Sequence, residues 1–205
     1  METLYTIGHS NYEIEKFIEL LKFNDINVVV DVRSVPYSQY TIQFNRELLS
    51  TALKENGIAY VFMGKEFGAR REDRTLYDED GKLNFKKTMH SELFQSGVKR
   101  IQHGLEKGYR IAFMCAEKIP HECHRCIMVG KAFHDLGYDV KNITEDGSII
   151  SQEDIGKILL EMFFPDRNQI TIFTMDEDKS DADYIEEAYQ MREKQIAYNI
   201  NNERQ

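Results

Sequence analysis

The feature that most constrains the fold is an alternation along the first 150 residues, where short runs rich in β-formers are separated by longer stretches of helical periodicity. The β-rich runs cover residues 4–7, 27–32, 59–63, 110–115 and 139–143. Those at 27–32 and 110–115 contain uninterrupted apolar segments, which is typical of strands covered on both faces. The alternation therefore predicts an α/β fold: an open, mainly parallel sheet of about five strands with helices on both faces.

The stretches between these runs have the spacing of amphipathic helices. Apolar side chains recur every three or four residues from Ile14 to Leu21, and again from Cys126 to Leu136. Gly57, Gly108 and Gly137 each close a predicted helix just before a strand, where a left-handed backbone conformation is usually needed. Residues 64–84 break this rhythm and are too long for an ordinary link, so we expect a functional or mobile loop there.

Acidity is concentrated after residue 150. The formal net charge is −9, and residues 151–205 carry six Lys or Arg against 13 Asp or Glu, which accounts for −7. We therefore divide the chain into a nearly neutral α/β core, residues 1–150, and an acidic C-terminal extension, residues 151–205. The extension is predicted to contain a helix at 151–163, an edge strand at 169–175 and a helix from about 183 to 200, and its acidic surface is a candidate for binding a protein partner.

Charge and hydropathy exclude two classes of partner. A domain that wraps nucleic acid through the phosphates is normally basic, and this chain is acidic. No apolar run approaches the roughly 18 residues of a membrane span, and the first residues lack the charged start and apolar stretch of a signal peptide. We expect a cytoplasmic protein with no membrane partner, in which one local anion site is still compatible with the overall charge.

Polar and reactive side chains follow four of the predicted strands. They are His9 and Ser10 after the first strand; Asp31, Arg33, Ser34 and Tyr37 after the second; Lys65 and Arg70 after the third; and Cys115, Glu117, Cys123, His124 and Arg125 after the fourth. In open parallel sheets, ligands bind beyond the carboxyl ends of the strands. We therefore expect these groups to meet at one edge of the sheet and to form a single site.

The residue types suggest a division of roles within this site. The catalytic candidates are His9, Asp31, Cys115, Glu117, Cys123 and His124: a histidine to move a proton, a carboxylate to orient it, and a cysteine as nucleophile. The candidates for binding an anion are Ser10, Arg33, Ser34, Tyr37, Lys65, Arg70 and Arg125, with help from a helix expected to begin at Pro120. Two structural alternatives stay open: a salt bridge between Asp31 and Arg33, and Ser10 as the cap of the next helix.

The three cysteines lie within one short segment, Cys115 to Cys126, which does not suit a disulfide framework. Cys126 falls on an apolar helical stripe, so we interpret it as a packing residue. A zinc site built from Cys115, Cys123, Cys126 and His121 is an alternative, as is thiol redox chemistry between Cys115 and Cys123. No cofactor is strongly implied.

Four motifs in the same order resemble a known family. They are Thr6-Ile7-Gly8-His9-Ser10, Asp31-Val32-Arg33-Ser34-Val35-Pro36, Phe44-Asn45, and Cys115-Ala116-Glu117 followed by Pro120 and Cys123-His124-Arg125. Over residues 3–145 the chain resembles the family called domain of unknown function 488. The resemblance implies an α/β domain and places the listed His, Asp, Arg, Cys and Glu residues on signature positions, but it supplies no reaction. Asp-Val-Arg also looks like the opening of rhodanese domains, although a matching cysteine loop is missing, so sulfur transfer is not inferred.

Three hypotheses for the function follow from these residues. The leading one is an enzyme that acts on an anionic, phosphate-bearing substrate such as a nucleotide or a nucleic-acid end. The second is a non-catalytic module that binds such a ligand in the same pocket. The third is a thiol-redox or zinc-binding protein centred on Cys115 and Cys123.

Overall fold

The computed structural model describes residues 2–167 and 179–204. Its centre is one sheet of six strands: β1 (Thr3–Gly8), β2 (Val28–Asp31), β3 (Ala59–Phe62), β4 (Ile111–Cys115), β5 (Asp139–Ile143) and β6 (Ile149–Ser151). The spatial order is β3-β2-β4-β1-β5-β6, and the first five strands run parallel. The short strand β6 pairs antiparallel to β5 at one edge. The predicted open, mainly parallel α/β sheet is confirmed, with one additional strand, whereas the edge strand predicted at 169–175 lies outside the described residues.

Eight α-helices connect and cover these strands within the described ranges. They are α1 (Ile14–Phe23), α2 (Arg46–Glu55), α3 (Gly64–Phe67), α4 (Phe85–His90), α5 (Glu92–Glu106), α6 (Lys131–Asp135), α7 (Gln152–Phe163) and α8 (Asp181–Ile196). Buried side chains of α1 and α2 pack on one face of the sheet, and those of α5 to α8 pack on the other. Helices on both faces were predicted, and the structure confirms them.

The central strand β4 shows why helices pack on both faces of the sheet. All five of its residues are buried, with Ile111, Phe113 and Cys115 on the face under α5 to α8, and Ala112 and Met114 on the face under α1 and α2. Successive side chains of a strand point to opposite faces, so an uninterrupted apolar run is stable only when both faces are covered. Cys115 therefore reaches the carboxyl edge of the sheet from a buried position.

Part of the C-terminal extension packs against the core. Ala188 and Tyr189 of α8 belong to the same cluster of buried apolar side chains as β4. Beyond α8, the backbone N–H of Leu83 donates to the carbonyl of Tyr198 at 2.9 Å, and the N–H of Ile200 donates to the carbonyl of Gly81 at 3.0 Å. The loop predicted at 64–84 is thus held in part by the end of the chain.

None of the helices in the described ranges combines the length and the apolar character that a membrane span would require.

Candidate metal centre

The candidate site is built where β4 ends. Cys115 is the last residue of β4, and the chain then turns back through a short 3₁₀ helix, Pro120–Glu122, and a π-helical turn, Arg125–Gly130. Between these two turns, Cys123 has extended backbone angles (φ −129°, ψ 138°). Pro120 begins a helix as expected, but this is a single 3₁₀ turn that ends at Glu122, so Cys123 follows the helix and does not lie in its opening turn. The reversal instead returns Cys123 to the end of β4, beside Cys115.

Four potential ligand atoms meet at this reversal: the sulfurs of Cys115 and Cys123, a carboxylate oxygen of Glu117 and a ring nitrogen of His124. All four lie within 4.8 Å of one another. Cys115 Sγ donates to Glu117 Oε2 at 2.9 Å, and Cys123 Sγ lies 2.9 Å from the same oxygen. His124 Nδ1 is 3.8 Å from Cys115 Sγ and 3.9 Å from Cys123 Sγ. The described residues contain no second group of this kind.

The orientation of the His124 ring is set by its other nitrogen. Nε2 lies 3.2 Å from the carbonyl oxygen of Val32, the residue that follows β2. A carbonyl can only accept a hydrogen bond, so Nε2 carries the proton and donates it. Nδ1 is then the nitrogen that faces the two sulfurs, with its lone pair available in the neutral ring.

The surroundings shift the pKa values of the two cysteines in opposite directions. Burial, followed by the contact with Cys123, raises the pKa of Cys115 well above its usual value. Burial alone would also raise the pKa of Cys123, but the thiol of Cys115, the guanidinium of Arg125 and the ring of His124 together lower it well below its usual value. The carboxyl group of Glu117 lies against the two buried sulfurs, and this desolvation raises its pKa, although the residue as a whole is exposed. Cys123 is thus the first of the two to become a thiolate, the form in which cysteine binds metals.

The sulfur-to-nitrogen distances fit a tetrahedral metal site, whereas the two sulfur-to-oxygen contacts of 2.9 Å are hydrogen-bond distances, shorter than the edge of roughly 3.6 Å that a zinc-bound carboxylate would make. With a Zn–S bond of about 2.3 Å and a Zn–N bond of about 2.05 Å, the edge between sulfur and nitrogen is roughly 3.6 Å. The two observed sulfur-to-nitrogen distances, 3.8 and 3.9 Å, are close to that edge. Thiolate, imidazole and carboxylate are also the ligand types that zinc prefers.

Arg125 holds the reversal together from inside. Its side chain is fully buried, and Nη1 donates to the carbonyl of Glu117 at 2.5 Å while Nε donates to Thr6 Oγ1 at 3.4 Å. Gly8 makes this approach feasible, because a Cβ at Gly8 would lie 1.9 Å from the Glu117 carbonyl oxygen and 3.0 Å from Arg125 Nη1. The positive charge of Arg125 stabilises a negatively charged cluster beside it.

A second buried network lies at the end of β2. Asp31 and Arg33 form the salt bridge that was left open as a structural alternative, with Arg33 Nη2 2.6 Å from Asp31 Oδ2 and Arg33 Nε 2.9 Å from Asp31 Oδ1. Tyr60 donates to Asp31 Oδ2 at 2.7 Å, and Arg33 Nη1 lies 3.1 Å from His9 Nε2. The His9 ring stacks on Phe44 with 4.2 Å between ring centroids.

The structure separates the remaining predicted site residues from the cluster. Tyr37 is exposed and donates to Glu47 at 2.6 Å, while Ser34 Oγ accepts from the backbone N–H of Arg70 at 2.8 Å. Lys65 is an exposed residue of α3. Ser10 contacts the cluster segment through its backbone, whose N–H donates to the carbonyl of Ala116 at 2.8 Å. Ser10 is not the cap of α1, because that helix begins after Glu13.

The potential metal ligands that meet in the structure differ at two positions from the zinc ligand set considered from the sequence. Cys126 is buried on the apolar side of the π-helical turn and contacts Gln152 Oε1 at 3.6 Å, so its interpretation as a packing residue fits its position. The ring of His121 lies beside Arg192, which lowers its pKa after the larger effect of burial. Glu117 and His124 complete the group of potential ligands instead. The sequence pattern predicted both as acid–base residues and not as potential metal ligands, although each lies within two positions of a cysteine.

Two surface clefts of about 360 and about 380 Å³ are lined by other parts of the molecule. The first lies on α8, and the second lies between α6, α7 and α8. Neither is lined by a residue of the cysteine, glutamate and histidine cluster.

The fold and the cluster together define an open α/β domain whose reactive groups gather beyond the carboxyl ends of parallel strands. The family model described as domain of unknown function DUF488 matches residues 13–131, more than half of the chain, and this protein belongs to that family. The match contains Asp31, Arg33 and the whole cluster, while His9 lies before its first residue. Searches of curated proteins and of solved structures gave no match.

Proposed function

We propose that this protein is a metalloenzyme whose centre binds a divalent metal of the zinc class through Cys115, Cys123 and His124, with Glu117 at the fourth position. The observation that carries the proposal is the orientation of the His124 ring and the hydrogen bond that fixes it. Its Nε2 donates to the Val32 carbonyl, and its Nδ1 faces both sulfurs at 3.8 and 3.9 Å. Histidines that bind metals usually donate the other ring N–H to a carbonyl or carboxylate in this way.

Burial of the sulfurs favours metal binding over the two other uses of cysteine. Cys115 is 2% exposed and Cys123 is 1% exposed. A cysteine nucleophile must reach its substrate, and a redox cysteine must reach a partner thiol, so both need exposure. A metal ligand needs only to point at the ion. The neighbours of Cys123 lower its pKa despite its burial, which provides the thiolate that a metal needs.

The exposure of Glu117 favours a catalytic over a purely structural metal. Three ligands are held in place by β4, by the reversal after it and by the Val32 carbonyl, whereas Glu117 is an exposed residue. Structural zinc sites close all four positions with firmly held ligands, and catalytic sites keep one position for water or substrate. Cys115, Cys123 and His124 would hold the metal, which would supply the activated water of metal-assisted hydrolysis, and the Glu117 carboxylate would be placed to accept a proton there.

The phosphate-bearing substrate expected from the sequence stays a prediction. Arg33 and Arg125, its expected anion ligands, are buried and donate to protein acceptors. In the proposed enzyme, the metal would therefore polarise the substrate in place of these guanidinium groups. A module that binds the same ligand without reaction would need no exposed carboxylate at the metal.

The experiment that tests the proposal is a metal titration of four variants. We expect wild-type protein to bind about one equivalent of Zn²⁺ or Co²⁺, with thiolate-to-metal absorption in the Co²⁺ form. Cys115→Ser, Cys123→Ser and His124→Asn should each lower the affinity at least about tenfold. Cys126→Ser is the matched control, being an equally buried cysteine outside the cluster, and should bind metal as the wild type does.

A second measurement distinguishes a catalytic metal from a structural one. Glu117→Gln should retain metal but lose turnover in a screen of nucleotides, phosphodiesters and amides that finds a substrate for the wild type. Less than about 0.2 equivalents of metal bound by wild type, or equal losses in Cys126→Ser and Cys123→Ser, would overturn the proposal.

A further inference from the structure

The segment Asp31–Arg33 lies far from the cluster in sequence, yet one of its backbone atoms makes a hydrogen bond with His124. That atom is the carbonyl oxygen of Val32, which accepts the hydrogen bond from His124 Nε2 at 3.2 Å. Val32 is fully buried, and its own N–H donates to the carbonyl of Met114 at 3.0 Å. The Val32 carbonyl is therefore held in a buried position. Its direction determines whether His124 Nε2 has an acceptor for its hydrogen bond.

The same peptide unit is held from its other side. The carbonyl of Val32 and the N–H of Arg33 belong to one planar peptide, and that N–H donates to Asp31 Oδ1 at 3.0 Å. The described residues contain no cis peptide, so the two groups point in opposite directions. When the Asp31 carboxylate fixes the direction of the N–H, it also fixes the direction of the carbonyl.

The Asp31 carboxylate is itself restrained by three donors. Arg33 contacts both of its oxygens, through Nε at 2.9 Å and Nη2 at 2.6 Å, and Tyr60 donates to Oδ2 at 2.7 Å. Arg33 is anchored in turn by the carbonyl of Phe44, which accepts from Nη2 at 2.9 Å. Planar, bidentate pairs of this kind restrict geometry more strongly than a single hydrogen bond does.

We infer that Asp31 and Arg33 are positioning residues for the metal centre: they orient the Val32–Arg33 peptide so that its carbonyl holds His124 with Nδ1 toward the two cysteines. The inference rests on the proposed function, because it assigns these residues to the support of a metal ligand. It gives the buried pair a role other than binding an anion. Partners outside the ligand shell usually contribute tenfold to 100-fold in metal affinity.

The test compares two arginines with matched burial. Arg33 is 6% exposed and Arg71 is 8% exposed, and the Arg71 guanidinium donates to the carbonyls of Lys65 and Glu66. Lysine keeps the charge at either position but cannot make the bidentate contact. We expect Arg33→Lys to weaken Co²⁺ binding about tenfold or more relative to Arg71→Lys, even if both variants lose similar stability. Equal Co²⁺ affinities in the two variants would overturn the inference.

A milder pair of variants covers the case in which Arg33→Lys does not fold. Tyr60→Phe removes one donor to Asp31, and Tyr189→Phe removes a hydroxyl bonded to Gln152, which makes no contact with the cluster. We expect a weaker but reproducible loss of Co²⁺ affinity in Tyr60→Phe and none in Tyr189→Phe. Indistinguishable affinities for this pair would count against the positioning role.

The hydrogen bond at Nε2 of His124 separates failure of the inference from failure of the proposed function. In metal-free protein labelled with ¹⁵N-histidine, Nε2 of His124 should be protonated and hydrogen-bonded in the wild type, whether or not Nδ1 also carries a proton, and Nε2 should lose this hydrogen bond in part of the molecules of the Arg33 or Tyr60 variant. If wild type binds no Co²⁺, the metal centre is wrong, whatever the state of this hydrogen bond. If wild type binds Co²⁺ and the variants change neither the hydrogen bond nor the affinity, only the positioning role is wrong.

Discussion

Arg33 Nη1 lies 3.1 Å from His9 Nε2, and because a guanidinium can only donate, the buried His9 ring accepts the hydrogen bond at Nε2. The proton of the neutral ring is then on Nδ1, which donates to the carbonyl of Ser10 at 2.7 Å. Burial, and next the charge of Arg33, lower the pKa of His9 to about 4. His9 is therefore neutral at pH 7, in the form that this network requires.

The first prediction concerns stability at acidic pH. The pKa of His9 is about 4 in the folded protein and 6.5 in the unfolded chain, so between these values the unfolded chain binds more protons. Stability is thus retained above pH 6.5 and is lost as the pH falls toward 4. We expect the wild type to lose about 2 to 3 kcal/mol more than His9→Gln between pH 7 and 4.5, as measured by urea unfolding. Parallel pH profiles for the two proteins would contradict this assignment.

The second prediction concerns Arg125, whose guanidinium is buried against the carbonyls of Glu117 and Lys118. Arg125→Met leaves these acceptors and the cluster without the charge, so we expect a loss of about 3 kcal/mol in the free energy of unfolding. Arg110→Met is the control, because Arg110 is exposed, and it should cost about 1 kcal/mol or less. Denaturant unfolding of both variants measures the difference.

A second substitution of Arg125, to lysine, addresses the anion site expected from the sequence. An Arg125 that donates only to protein acceptors predicts no difference in the effect of inorganic phosphate on the melting temperatures of wild type and Arg125→Lys. A rise in wild type that disappears in Arg125→Lys would support the anion site instead.

Much of the fold follows from local sequence patterns. The uninterrupted apolar run at β4 indicates a strand covered on both faces, and the helical spacing around Phe17 indicates a helix against it. Gly57 and Gly137 mark helix ends, and their φ angles are 74° and 89°. The antiparallel edge strand β6 was missed because it has only three residues. Such a short run has no periodicity of its own.

The sequence predicted where the candidate site lies on the sheet, but it did not predict most of the hydrogen bonds within the site. Parallel strand ends share one sheet edge, which predicts that Asp31, Cys115 and Cys123 come near each other. Residues two apart on an extended strand share a face, which made the pairing of Asp31 and Arg33 foreseeable. The bond from His124 to Val32 depends on the direction of one peptide unit and joins residues 92 positions apart. No local pattern contains that information.

The third prediction uses the close packing at Gly8. Alanine there would place Cβ 1.9 Å from a backbone oxygen of Glu117, which cannot rotate away, so the reversal after β4 must shift. We expect Gly8→Ala to destabilise the protein by about 3 kcal/mol and to weaken Co²⁺ binding. Gly104→Ala, inside α5, is the control, because the nearest atom to its Cβ would be the end of the Ile111 side chain at 3.1 Å, with Tyr109 Cδ2 at an ordinary 3.8 Å. That change should be close to neutral, since alanine favours the helix. Equal stability of the two variants in urea would contradict the prediction.

The fourth prediction concerns the C-terminal extension, which was divided from the core on composition alone. Tyr189 of α8 is buried, and its hydroxyl accepts from Gln152 Nε2 at 3.0 Å, while the Tyr198 carbonyl accepts from Leu83. Removing residues 179–205 deletes all of these contacts and uncovers the face of the core that α8 covers. We therefore expect a loss of more than about 4 kcal/mol, together with rapid proteolysis in the loop that contains Leu83.

A shorter truncation tests whether α8 itself carries this stability. A chain that ends at Ala197 keeps α8 but loses the pairing with Leu83, so its melting temperature should fall by much less, while the loop still becomes sensitive to protease. Thermal unfolding and limited proteolysis of the two truncated chains measure the two effects separately. If the chain without residues 179–205 melts at the wild-type temperature, the rest of the domain holds its structure without α8, and this helix lies outside the core as the division made from composition has it. A large loss instead means that the core of this domain extends into α8, since the buried face of that helix is part of it.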